Sequence, residues 1–280
     1  MLIKCIYNEL LKIAYKPRSY IGIAGIIIIN AIILFAMKVD GSFYISLVTG
    51  QFEQTLAFEG GILNGNLVAF ISIQMLIIHV PLLIAFVTGD LISGESAMGT
   101  IRLLLTKPVS RSTILWSKFF ASAIYTLAVI LCLAFMSLTL GKILFGAGDL
   151  IVLKFDGLVV FQEQDINWRF LCGFSLAFLS LITVATLALT LSCYSENSIG
   201  PIVATMGIIL VFTIIGSMDV PVFDRIRPFL FTTHMAAWRY FFDTPLQTKA
   251  ILHSIFILTS HCVVLLGIAF YKFNRNDILS

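Results

Sequence analysis

The chain has 280 residues, of which 59% are hydrophobic and 12% charged, with a mean hydropathy of +1.01. A soluble core cannot absorb that much apolar surface, so the composition describes an integral membrane protein with room for about six helices of roughly 20 residues and no sizeable soluble domain. The net charge of +3 comes from basic residues spread among short segments, which is an orienting excess and no nucleic-acid footprint.

The five cysteines, Cys5, Cys132, Cys172, Cys193 and Cys262, stand singly without paired metal-ligand spacing and read as packing residues. No metal site and no catalytic residue is expected. The first apolar stretch, 21–36, starts late, is long and lacks an obvious small-x-small cleavage site, so it does not read as a secretory signal.

In chain order, Lys4, Asn8, Lys12 and Lys16 recur every fourth residue opposite Ile6, Leu10, Ile13 and Ala14. This predicts an amphipathic interfacial helix over 2–16, lying along lipid headgroups and ended by Pro17. Membrane spans follow at about 19–37, 66–89, 113–140, 168–192, 199–217 and 251–271. Asn30 in the first span is expected to meet a helix neighbour. Gln74, His79 and Pro81 turn part of the second toward other helices, with His79 expected as a packing residue.

Six crossings put both termini on one side. The segments 1–18, 90–118, 193–198 and 272–280 carry ten of the 18 Lys and Arg residues on little polypeptide, which predicts both termini in the cytoplasm. The last outer connection, about 218–250, interleaves Asp219, Asp224, Arg225, Arg227, His234, Arg239 and Asp243 with Phe223, Phe229, Phe231, Trp238, Tyr240, Phe241 and Phe242. It is expected to form short interfacial helices at headgroup level, without the local geometry of a hydrolase triad.

Between spans two and three, residues 93–105 predict a short helix that Lys107-Pro108 resists continuing, with Ser110 or Ser112 capping the next span. Glu95 and Gly99 lie one turn apart, and Gly99 is expected to allow close approach of another backbone. Two readings stay open. The segment is either a cytoplasmic turn in which Arg102, Lys107 and Arg111 anchor anionic lipid, or an element shaped to be gripped by a partner. No GxxxxGK[ST] phosphate loop is present, so a nucleotide motor would be another polypeptide.

The stretch Ile92-Ser93-Gly94-Glu95, Gly99-Thr100-Ile101-Arg102-Leu103-Leu104-Leu105, Pro108-Val109-Ser110-Arg111 and Ile114-Leu115 leading to Lys118-Phe119 resembles the permease subunit of ABC-2 type ABC transporters. The carboxyl-terminal Tyr271–Ile278 is similar to that family's ending. The resemblance implies an all-α integral membrane protein forming one domain over 1–280, with six transmembrane helices, an amino-terminal interfacial helix and a cytoplasmic coupling helix at 93–107.

It further implies that Glu95 holds the local geometry, that Thr100 and Arg102 make polar contacts to an ATPase, and that Leu103 and Leu104 anchor it, with Gly99, Pro108 and Arg111 in the same element. Ser96 departs from the arginine or other large residue often found after that glutamate. The implied assembly is two permeases, two copies or this chain with a related one, bound to two ABC ATP-binding subunits. These would carry ATP and Mg in a bacterial plasma (inner) membrane, and the chain itself would bind no cofactor.

The implied function is export through the dimer. The competing class is a non-transporting anchor or assembly subunit that recruits an ATPase to another machine. The substrate-binding residues are unknown. The few ionisable residues read in the spans, chiefly His79, His253, His261 and Arg169, leave lipids, apolar drugs and peptides open as cargo, alongside sodium ions.

Overall fold

A computed structural model describes residues 1–49, 62–154 and 157–275. The carboxyl-terminal stretch 276–278 and residues 50–61 of the first long connection lie outside the described residues. Helix α1 (Leu2–Tyr15) is separated from α2 (Pro17–Thr49) by Lys16, and Pro17 opens α2 where its missing N–H costs nothing. Next come α3 (Gly65–Thr88), capped by the Asn64 side chain accepting from the Leu67 N–H, and the two short helices α4 (Asp90–Ala97) and α5 (Thr100–Leu105).

The third span combines α6 (Arg111–Ala134), a π-helical turn at Phe135–Thr139 and α7 (Leu140–Phe145). Strands β1 (Leu150–Lys154) and β2 (Gly157–Phe161) form an antiparallel hairpin. Then follow α8 (Glu163–Ser192), α9 (Ile199–Ser217), the short α10 (Phe231–Met235) between 3-10 turns at Arg227–Phe229 and Ala237–Phe242, and α11 (Thr248–Arg275). Among the described residues, six helices are long and apolar enough to cross a membrane.

The hairpin corrects the all-α expectation. Its strands, Leu-Ile-Val-Leu-Lys and Gly-Leu-Val-Val-Phe, are rich in valine and other large apolar residues that suit a pleated surface, and Gly157 turns with φ 147°. Several helices also run past the lengths read from hydropathy, because a helix continues through polar residues once tertiary contacts hold it: α2 reaches Thr49 and α8 begins at Glu163.

The core is built around α8, which packs against α3, α6, α9 and α11. Helices α2, α9 and α11 lie outermost, with much of their apolar surface turned outward. At one end of the bundle α1, α4, the 193–198 turn and the last turn of α11 gather. The other end, here the far end, is closed by aromatic rings: Phe70, Phe170, Trp238 and Phe242 are packed with centroids 5.1 to 5.9 Å apart, and Phe161 adds its edge to Phe242.

Phe231, Trp238 and Phe242 are buried core residues. Arg169 fastens this cap, stacking 4.5 Å from Phe161 while donating to the Phe241 carbonyl at 2.6 Å and pairing with Asp165 at 2.8 Å. Asn30 is fully buried, yet neither amide atom finds a hydrogen-bond partner among the described residues. His79 lies exposed on α3, which corrects its reading as a packing residue.

Candidate functional site

The segment read as one helix over 93–107 is two, because Gly99 takes φ +68° and breaks it. That left-handed turn is what glycine supplies here. No atom lies within 4 Å of where its Cβ would stand, so close approach of a backbone within this chain is not the reason.

The base, α4, is tightly set. Gly89 lets it leave α3 beside α9, since a Cβ there would meet Ile202 Cγ1 at 3.0 Å. The free N–H groups of Ile92 and Ser93 donate to Ser192 Oγ at 3.2 and 2.8 Å, so the end of α8 caps the start of α4. Gly94 leaves space for the Asp90 carboxylate one turn back, whose Oδ1 would clash with an added Cβ.

Asp90 is 5% exposed and has three partners: Lys16 Nζ at 2.7 Å, Arg18 Nη1 at 2.9 Å and a close hydroxyl donated by Ser198. These ties bring the α1–α2 junction and the 193–198 turn onto the start of α4.

One turn further on, four charges close a ring. Lys12 Nζ contacts Glu9 Oε1 and Glu95 Oε1, both at 2.6 Å, while Lys118 Nζ contacts Glu9 Oε2 at 3.0 Å and Glu95 Oε2 at 2.8 Å. Each carboxylate thus uses one oxygen for each lysine, and the formal charges cancel. Lys118 is wholly buried; it donates hydrogen bonds to Glu9 Oε2 and, at 2.7 Å, to the Leu91 carbonyl, and its contact with Glu95 is an ion pair.

Burial opposes the charge on Lys12, but Glu9 and Glu95 outweigh it and raise the lysine above its ordinary pKa. Buried charges are tolerable when paired in this way, and removing one leaves the rest uncompensated.

The tip differs. Thr100, Arg102, Leu103, Thr106, Lys107 and Pro108 are exposed, Leu103 at 68%. Ile101, buried, and Leu104, half-buried against the core, hold α5 from beneath, so Leu103 is the apolar side chain directed outward and Leu104 is not. Thr100 Oγ1 donates to the Glu95 carbonyl at 3.3 Å. Ser110 caps α6 by accepting from the Thr113 N–H. Arg111 reaches the Asn274 carbonyl at 3.1 Å and Phe273 at 3.4 Å, binding the last turn of α11.

On α1, Lys4 and Asn8 are exposed, whereas Lys12 and Lys16 turn to Glu95 and Asp90. The regular lysine spacing therefore serves two surfaces, which corrects its reading as a single headgroup face.

Sequence reading missed Glu9 and Lys118 as members of the site, and Asp90 as a junction. The signals were present: a lone acid among the lysines of α1, and a lysine eight residues into an apolar helix, absent from the ionisable residues read in the spans.

At the far end His234 Nδ1 lies 2.9 Å from Ser254 Oγ and Nε2 2.9 Å from the Pro228 carbonyl, an arrangement that supports the fold and presents no nucleophile to a substrate. Among the described residues, no group of three or more His, Cys, Asp or Glu is arranged to hold a metal ion.

Residues 9–278 match the family described as ABC-2 family transporter protein. Over 198 residues the chain is 27% identical to a protein of Bacillus subtilis (strain 168) named "Uncharacterized protein YhcI", covering 69% of this chain and 62% of that one. The match thus spans under two thirds of the length of that relative.

Proposed function

The chain belongs to the ABC-2 family of transporter proteins, as a multi-pass membrane permease subunit, and from that premise we propose that it does no bond chemistry of its own and that α4–α5 is the element that couples it to a separate ABC ATPase for export. The carrying observation is a clamped base beneath an exposed tip. Glu95 and Asp90 fix α4 to α1, α2, α6 and the 193–198 turn, while Thr100, Arg102 and Leu103 are left outward.

A push on the tip is then passed to several membrane helices as one body, because a neutral ring of paired charges, with Glu9, Glu95 and Lys118 buried, resists partial opening. The partner receives Leu103 as apolar anchor and Arg102 as polar contact. Two ATP-binding subunits carrying ATP and Mg close on nucleotide, and two permeases, copies of this chain or this chain and a related one, tilt to open a path outward. Lys and Arg density supports both termini on the cytoplasmic side of a bacterial plasma membrane.

The test measures ATPase retention in mild detergent, and ATP hydrolysis, for Glu95→Ala and Arg102→Glu. Both variants are expected to lose retention or stimulated hydrolysis, Glu95→Ala with a lower melting temperature and Arg102→Glu without one. Unchanged retention and hydrolysis in both would overturn the coupling role.

A further inference from the structure

Asn30 stands on the buried stripe of α2, one turn from Ile26 and one turn from Leu34. It is next to the middle residue of the apolar stretch Pro17–Gly41, which puts it near the centre of the membrane. Its side chain is wholly buried, and both amide atoms lack a partner among the described residues. Ser72 of α3 is wholly buried too, and its hydroxyl has no partner among them either. Other buried hydroxyls on the spans return to their own helix: those of Thr126, Ser137, Ser180 and Thr186 each donate to the carbonyl four residues back, at 2.7 to 3.0 Å. Ser72 leaves that bond unmade.

The packing brings these groups to one level. Helix α2 runs alongside the third span in the same direction: Tyr125 donates to the Ser19 carbonyl and Lys38 to the Leu144 carbonyl, both at 3.2 Å and both 106 positions apart. The same offset sets Asn30 beside Met136, inside the π-helical turn Phe135–Thr139. Helix α3 runs against both, with Leu83 at Gly25, Leu63 at Gly41, and Gly65 on the Gly141 backbone. Ser72, two turns along from Gly65, therefore comes beside the start of the π-turn, which packs against α2 and α3 together. Val68, one turn before Ser72, shares a cluster with Leu34 and Met37, one and two turns beyond Asn30.

The walls around this level are apolar, with Ile26, Ala69, Ile73, Ile130 and Leu133 buried in one core. Ser137, wholly buried in the π-turn, gives its proton to the Leu133 carbonyl at 2.8 Å and keeps its lone pairs. An amide with donors and acceptors and a free hydroxyl are costly to leave unmet at such a depth, so their occupant must both donate and accept. A cation meets oxygens only. It would also bring charge to a place where α3 and the third span hold no Asp or Glu and α2 holds only Asp40, ten residues away. Water is neutral, donates and accepts, and inserts where a helix ladder is opened, as it is in a π-turn.

We propose that Asn30, Ser72 and Ser137 form a buried water-binding site at mid-membrane, in which ordered water accepts from Asn30 Nδ2 and the Ser72 hydroxyl and donates to Asn30 Oδ1 and Ser137 Oγ. Bound there, water ties the first three spans together across the π-turn.

The experiment places the full chain, isotope-labelled at asparagine nitrogen, in lipid bilayers and measures solid-state NMR transfer of magnetisation from water to Asn30 Nδ2, a signal assigned by its disappearance in Asn30→Leu. Transfer is expected from the shortest mixing times, as for the exposed Asn8, and is expected to be lost in Ser72→Val, whose added methyl group fills the site. Exchange of sodium chloride for choline chloride is expected to leave the Asn30 resonance in place.

No transfer to Asn30 Nδ2 in the unsubstituted protein would overturn the proposal, and that measurement decides by itself should Ser72→Val fold poorly. Undiminished transfer in a folded Ser72→Val would remove Ser72 from the site, and a resonance that moves with sodium would replace water by a cation. In melting experiments the double variant Asn30→Leu with Ser72→Val is expected to lose less than the two single losses combined, because no polar group is then left stranded. Full additivity would contradict a shared occupant.

Discussion

The two ends of the bundle are held by different chemistry. Where α1, α4 and α6 meet, Glu9, Lys12, Glu95 and Lys118 form a closed ring of alternating charge, and Asp90 joins three further partners. At the far end Phe70, Phe161, Phe170, Trp238 and Phe242 pack ring against ring. Aromatic packing loses energy by degrees as rings shift, whereas a buried charge ring is either closed or carries an uncompensated charge. The end proposed to meet the ATPase thus has the charge-pair fastening, and the far end has the graded one.

The largest effects separate these chemistries. Lys118→Met leaves buried carboxylates in excess and is expected to cost about 3–5 kcal/mol, read as a fall in melting temperature in detergent. Adding Glu9→Gln restores charge balance, and the double variant is expected to regain part of that loss. Trp238→Ala is expected to cost a similar amount, about 3–5 kcal/mol, but no single second change at the aromatic cap should rescue it. A double variant no more stable than Lys118→Met alone would dissolve the contrast.

Tip and base are separated by a smaller effect. Leu103→Ala should leave the melting temperature within the scatter expected of surface changes, while weakening ATPase retention about tenfold, about 1.4 kcal/mol. Gly99→Ala forces a Cβ into the left-handed region at φ +68° and is expected to cost about 1 kcal/mol, visible as a modest melting shift that also weakens retention by re-aiming α5.

The smallest effect is in alkali. The folded state raises the Lys12 pKa, so its contribution is fully present below the ordinary lysine value and is lost as pH rises through the raised one. Melting profiles of the unsubstituted protein and Lys12→Met should therefore converge in that alkaline window and differ by a constant amount near neutral pH. A difference growing with pH would give the shift the wrong sign.

The six spans were legible because uninterrupted apolar stretches of the right length have few alternatives in a bilayer. Ser110 marked a helix start and Pro17 the end of α1 for equally local reasons. The ring was not legible: Glu9 and Lys118 are 109 positions apart, and nothing in either neighbourhood names the other. The regular spacing of Lys12 and Lys16 suggested a headgroup face, because periodicity reports which residues share a side and not what that side touches. The aromatic cap shows the same limit. Rings interleaved with charges fit a headgroup layer by composition, yet Arg169 and the hairpin gave Trp238 and Phe242 a buried place.

The clamped-base, exposed-tip account is tested most directly by a photo-reactive side chain introduced in place of Leu103, illuminated in membranes where the chain and its ATP-binding protein are co-expressed. A covalent adduct between the two, near one per chain and absent when the same group replaces Leu252 on the outward face of α11, is the result the account predicts. Adducts to lipid alone at position 103, with the ATP-binding protein still retained by the chain, would contradict it.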